Sequence, residues 1–187
     1  MGLPAHMTVH LVLIDALPVL LLLAAGRERI SILRVHPVVA GVGSTVILVV
    51  WHLPGTFDAA LAHPALHAAE HASFVLAGLL LWAPVLSLGT GAAEALAFLF
   101  VTRNVQTVLG NVLLWAPHPI YRDSGTVQDQ RLAGAIMLGE GLVAGIAAGA
   151  WLFARLLREG DRLSGDRSLP ARKEGVARRL DSRSPTH

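Results

Sequence analysis

Four histidines fall within Trp51–His71, WHLPGTFDAALAHPALHAAEH, a link between two strongly apolar segments. His67 and His71 are spaced i,i+4, which on a helix sets both imidazoles on one face, one turn apart, with Glu70 beside them. A second such pair, His6 and His10, heads the first apolar segment. Paired imidazoles at this spacing are a metal grip, and whether the two pairs meet decides what they can hold. The chain has no cysteine, which excludes disulfides, thiolate metal sites and CxxC redox chemistry. Any soft-metal chemistry therefore rests on His, Met and carboxylate. Met7, next to His6, could lend a thioether to copper(I). A ligating imidazole needs an acceptor on its other ring nitrogen, and Asp58, Glu70 and Asp129 are the carboxylates on the same side of the spans that are available for it.

The elements that position these residues follow from composition. Of 187 residues 53% are hydrophobic and only 15% charged, with a mean hydropathy of +0.57. Those values lie outside the range of a soluble domain and describe an all-α integral membrane protein. Five apolar runs, roughly 7–25, 35–53, 65–88, 92–116 and 132–157, are each near the ~20 residues that cross a hydrocarbon core. Gly, Pro and charge punctuate the gaps between them. No positive segment precedes the first run and Asp15 interrupts it, so it is read as a permanent helix and not a signal peptide. Residues 1–157 form the transmembrane domain in this reading, and 158–187 a basic tail without fixed structure, held to anionic lipid.

Orientation follows from Lys and Arg, which are retained in the cytoplasm. Arg27, Arg29 and Arg34 follow the first run and nine Lys or Arg follow from Arg155 on, against Arg122 and Arg131 on the other side. The N-terminus is therefore placed outside and the C-terminus inside. A pI near 9.9 would ordinarily raise nucleic acid as a partner, but the basic residues concentrate in the tail, where the lipid bilayer is the simpler partner. His6, His10, His52, His63, His67, His71 and His118 all fall at outer ends or in outer loops, and only His36 and His187 fall inside. On an oxidising outer face, copper is the expected metal and zinc the alternative.

A second constellation lies deeper. Arg103 falls near the middle of the fourth run, where an unpaired charge costs about 2.5–3.5 kcal/mol and must find a partner. Asp15 and Glu140 reach similar depth, and Arg103, Thr107 and Asn111 repeat at i,i+4,i+8 as one polar stripe. This network is read either as an ion or proton path beneath the histidines or as a buried salt bridge that docks the helices. Gly141, Gly145 and Gly149 are expected to admit a neighbouring backbone.

Three blocks carry a family resemblance: AHMTVHLVLIDALPVLLL (residues 5–22), WHLPGTFDAALAHPALHAAEHASFVLAGLLLWAPV (51–85) and DQRLAGAIM (129–137). In order and content they resemble the CtaG-type cytochrome c oxidase assembly factors of bacteria. The resemblance implies a multi-pass protein of the bacterial plasma membrane that helps to make active haem-copper oxidase and delivers copper to one of its subunits. It implies His6, His10, His52, His67 and His71 as copper ligands, with Met7 and Asp129 as lesser candidates, and no enzymatic activity. Family members usually have more spans than the five read here, and Leu138 stands where a Trp is expected.

Other chemistries have a footing in the same residues. His67-Ala68-Ala69-Glu70-His71 spells the inverted zinc-peptidase motif, in which Glu70 would be the general base of a membrane zinc hydrolase. That site needs a third ligand, and Asp129 is the carboxylate placed to supply it. A bis-histidine haem carrier would use His10 or His52 opposite His67. A second copy of the chain enters where one site draws ligands from two chains.

Overall fold

The computed structural model describes residues 2–26, 29–30, 36–87, 89–122 and 125–181, with side chains described to residue 162 and at Ser164. Arg27, Arg34 and His187, on which part of the orientation argument rests, lie outside the described residues. Among the described residues no strand occurs, and six helices follow one another, five of them long: α1 Leu3–Ala25, α2 Pro37–His52, the short α3 Pro54–Ala62, α4 Pro64–Leu86, α5 Ala92–Trp115 and α6 Val127–Asp181. The backbone of α6 passes residue 158 without a break, so the division expected there falls inside a helix.

Proline sets the boundaries at the histidine end. Helices α2, α3 and α4 each open on a proline in the first turn, where its missing N–H costs nothing. The residue before a proline is driven out of helical geometry, and Leu53, ahead of Pro54, has φ −69° and ψ 136°. The chain turns there, and α2 and α3 meet at 71°. Helix α2 alone, with 16 residues, spans about 24 Å at 1.5 Å per residue, short of a ~30 Å hydrocarbon core. Four helices are therefore long and apolar enough to cross a membrane, and five crossings result only if the bent pair α2–α3 counts as one. The outer surface fits contact with lipid: Leu20, Val38, Phe100, Val101, Leu142 and Val143 are all exposed.

Helix α1 carries one π-helical turn, Val12–Ala16. Its cause is Pro18, which cannot donate to the Ile14 carbonyl and whose ring crowds it, so the Leu17 N–H reaches back to Val12. The freed Ile14 carbonyl packs onto α4 at Gly78, where an added Cβ would come within 2.2 Å of that oxygen. This contact brings Asp15 to Trp82, one turn further along α4, and the indole N–H donates to the Asp15 carboxylate at 2.8 Å. Gly78→Ala is accordingly expected to destabilise the bundle at or above the upper end of the about 1–3 kcal/mol typical of overpacking. Its unfolding midpoint in detergent should fall well below that of Gly145→Ala, because a Cβ at Gly145 meets nothing within 4 Å.

Helices α5 and α6 form a hairpin closed at Gly134, whose Cβ would lie 2.6 Å from the Gly110 carbonyl oxygen. The close approach expected at Gly141, Gly145 and Gly149 is not made: a Cβ at Gly141 would find only the Gln106 amide at 3.8 Å, and the other two nothing within 4 Å. At the end away from the histidines, Arg155 donates to Glu159 at 2.8 Å, to the Ser87 carbonyl at 2.9 Å and to the Thr90 carbonyl. Glu159 in turn accepts from the Ala92 N–H at 3.1 Å, so a carboxylate of α6 caps the start of α5.

Candidate metal centre

The two i,i+4 pairs meet. His6 and His10 project from α1, His67 and His71 from α4, and the four rings interlock, with centroids 4.1 Å apart for His6–His10, 4.3 Å for His67–His71, 5.2 Å for His6–His67 and 5.4 Å for His10–His71. Glu70, fully buried, stands among them: its carboxylate oxygens lie 3.8 Å from His6 Nε2, 3.6 Å from His10 Nε2 and 3.8 Å from His67 Nδ1. Two sets of ligand atoms are close enough to share an ion, His6/His67/His71 and His6/His10/Glu70. His6 belongs to both.

This cluster is assembled without hydrogen bonds of its own. His6 Nε2, both nitrogens of His10, His71 Nε2 and both oxygens of Glu70 are buried with no hydrogen-bond partner. An unsatisfied buried polar atom costs about 1–3 kcal/mol, and several together fit a site whose lone pairs converge on a cation. The donor set, imidazole nitrogen with one carboxylate, suits copper or zinc.

The surroundings hold the rings in place. Phe57 of α3 meets the His6 ring edge-on at 5.2 Å and stacks on Tyr121 at 4.0 Å, while Phe74 lies 4.3 Å from His10. Tyr121 donates to the His52 carbonyl at 3.1 Å, pinning the 117–122 segment over the end of α2. Burial, reinforced by the charge of Asp58, raises the Tyr121 phenol well above its ordinary value, so it stays a donor. Trp51 donates to Ser73 Oγ at 2.6 Å and Ser73 to the Glu70 carbonyl at 2.8 Å, which ties α2 to the turn that carries the carboxylate.

The remaining expected ligands stand apart from the cluster. His52 belongs to neither set: its Nδ1 is 2.7 Å from the Leu48 carbonyl and its ring faces Phe74 at 6.0 Å. Met7 is buried in an apolar cluster with Leu3, Leu11, Phe57 and Met137. Asp129 closes a capping box at the start of α6, accepting from the Thr126 N–H at 2.8 Å while its own N–H donates to Thr126 Oγ1 at 3.2 Å. It is in neither ligand set, so the third ligand that the hydrolase motif requires does not come from there. His63 and His118 are exposed.

Beneath the histidines, Arg103 donates to both oxygens of Asp15, at 2.5 and 3.3 Å, and lies 3.7 Å from Glu140. Gln106, which sequence reasoning missed, links the three: it accepts from Arg103 at 2.6 Å and donates to Glu140 at 3.1 Å. Its signal was its place one turn after Arg103, on the same face of α5. Thr107 and Asn111 do not join this network, and instead bond back to the carbonyls of Arg103 and Thr107 at 2.9 and 2.8 Å. Each four-residue step turns about 40° around the helix, so the expected stripe leaves the buried face within two steps.

A family model described as the cytochrome c oxidase caa3 assembly factor, CtaG type, matches residues 2–159. No curated protein and no solved structure matches the chain.

Proposed function

We propose, proceeding from the fact that the chain belongs to the cytochrome c oxidase caa3 assembly factor family, that it captures copper with His6, His10, His67, His71 and Glu70 and passes it to an oxidase subunit. The observation that carries this reading is the meeting of four imidazoles from two helices around one buried carboxylate, with their lone pairs unpartnered. Copper is the substrate here, and the protein's chemistry is ligand exchange. Two overlapping ligand sets that share His6 let an ion shift from one to the other by changing ligands singly, which keeps the barrier to release low.

In this account the bundle crosses a bacterial plasma membrane five times, the α2–α3 pair serving as one broken span, with the N-terminus and the histidines outside and the tail inside. A hydrolytic role has less support, because Glu70 is enclosed by His6, His10 and His67 and does not face an open position. A haem held between two histidines has less support too, because the cluster offers three imidazoles, or two with a carboxylate, within reach of a single ion.

The test is made in a cell whose own copy is deleted. Complementation with the wild-type chain should restore oxidase activity, and His67→Ala/His71→Ala, present in the membrane at equal amount, should leave the oxidase short of copper and poorly active. Full oxidase activity with that variant contradicts the proposal.

A further inference from the structure

Between the histidine cluster and the Arg103 network lies a small void of about 10 Å³, walled by residues from all five of the long helices that frame the bundle. Its chemically active lining is Met7 and His10 from α1, His52 from α2, Gln106 from α5 and Met137 from α6. The volume is that of a single water-sized sphere, enough for one bare ion. Met7, His10, His52 and Met137 are all buried, at 1%, 4%, 8% and 3% exposure.

Two of these groups present nitrogen lone pairs. His52 Nδ1 is held by the Leu48 carbonyl at 2.7 Å, and a carbonyl only accepts, so the proton sits on Nδ1. Nε2 is then the bare nitrogen, and it is buried without a partner. A ring oriented through one nitrogen by a backbone carbonyl, with the other left free, is the arrangement of a metal-binding imidazole and its supporting acceptor. His10 turns Nε2 towards Glu70 at 3.6 Å and leaves Nδ1 buried and unpartnered.

From this we infer a second, inner copper position, selective for copper(I), made by the imidazoles of His10 and His52 and the thioethers of Met7 and Met137. Thioether sulfur is a soft ligand that favours copper(I) over zinc and copper(II), and the dry apolar walls of Phe74 and Leu48 favour the lower charge. His10 borders both positions, so copper moves inwards from His6/His10/Glu70 by exchanging His6 and Glu70 for His52 and the sulfurs. With Nε2 on the Glu70 side and Nδ1 taken by the inner position, the single N–H proton of His10 passes from Nδ1 to Nε2 as the copper crosses, where Glu70, released from the metal, accepts its hydrogen bond. All other bonds made and broken are those to the metal, and the copper stays copper(I) throughout. The inference rests on the copper-handling reading above and adds to it a depth, an oxidation state and three ligands that the histidine cluster lacks.

Methionine is rare enough in this chain to make the test clean: besides Met1, only Met7 and Met137 occur. The full chain is produced with selenomethionine, purified in detergent and loaded anaerobically with copper(I) against a chelating competitor, and X-ray absorption is recorded at the copper edge. The expected result is two copper(I) per chain and a copper–selenium shell. Met7→Leu/Met137→Leu, a volume-conserving change that spares the fold, should lose one of the two equivalents and keep a nitrogen and oxygen shell. Copper bound by the wild type with no selenium neighbour overturns the inner position while leaving the histidine cluster as the binding site. An unchanged equivalence in the methionine variant overturns it as well, and a wild type that takes up no copper overturns both readings.

Discussion

Removal of His6 is expected to lower copper affinity by at least about 100-fold, more than removal of any other single histidine. Even supporting groups around metal ligands are worth about 10–100-fold, and His6 is a ligand in both sets of atoms that can share an ion. Of the two outer sets, His10→Ala breaks only the one with Glu70 and His71→Ala only the three-imidazole one, so each leaves one outer set intact and should weaken binding there by less. A competition titration against a copper chelator ranks the three. His6→Asn retains much of the shape against Phe57 and controls for the hole that alanine leaves. Equal effects at all three positions would mean that the ion does not use His6 as a shared ligand.

The largest expected effect on stability belongs to Arg103. Its guanidinium donates to both Asp15 oxygens and to Gln106, and lies 5.1 Å over the Trp82 ring. Arg103→Ala strips the partner from a carboxylate only 6% exposed at mid-span, a change that costs about 3–5 kcal/mol. The unfolding midpoint in detergent should drop accordingly. Asp15→Ala/Arg103→Ala removes both charges and should recover a substantial part of the loss, because no uncompensated ion remains. Additive losses in the double variant would show that the pair does not act as a unit.

The helices were legible because their ends are written in residue types that act locally. Pro37 and Pro64 open helices whose apolar runs have the length of a span, so the boundaries read for α2, α4 and α5 fall within two residues of those observed, whereas α3 was not read as a helix and α6 runs on to Asp181, past the expected end at 157. The histidine pairs were legible for the same reason, since i,i+4 spacing fixes a common face before any tertiary contact forms. What could not be read depends on two elements meeting. The π-turn follows from Pro18, but that its freed carbonyl would dock on Gly78 requires knowing which face of α4 comes to α1. His52 looked like a fifth member of the cluster because it falls at the outer end of its span and the resemblance carried it over as a ligand. The 71° turn at Leu53 instead leaves it on α2, below and beside the others, with Met7 and Met137. Likewise, three glycines spaced by four residues mark an opportunity for close packing, which α5 takes up at Gly134 and not at Gly145 or Gly149.

The buried Glu70 joins these strands. Sequence placed it either as a supporting acceptor or as a general base, and its position among three imidazoles on two helices makes it a centre of charge that a bound cation would balance. Copper bound at this centre is the claim on which the rest depends. It is tested most directly by elemental analysis of the protein purified in detergent through a tag free of histidine, after loading with copper and zinc in competition, alongside His67→Ala/His71→Ala. The account predicts copper at one or more equivalents per chain in the wild type, in preference to zinc, and a clear loss of that copper in the variant. Zinc in place of copper, or no metal in either protein, would contradict it.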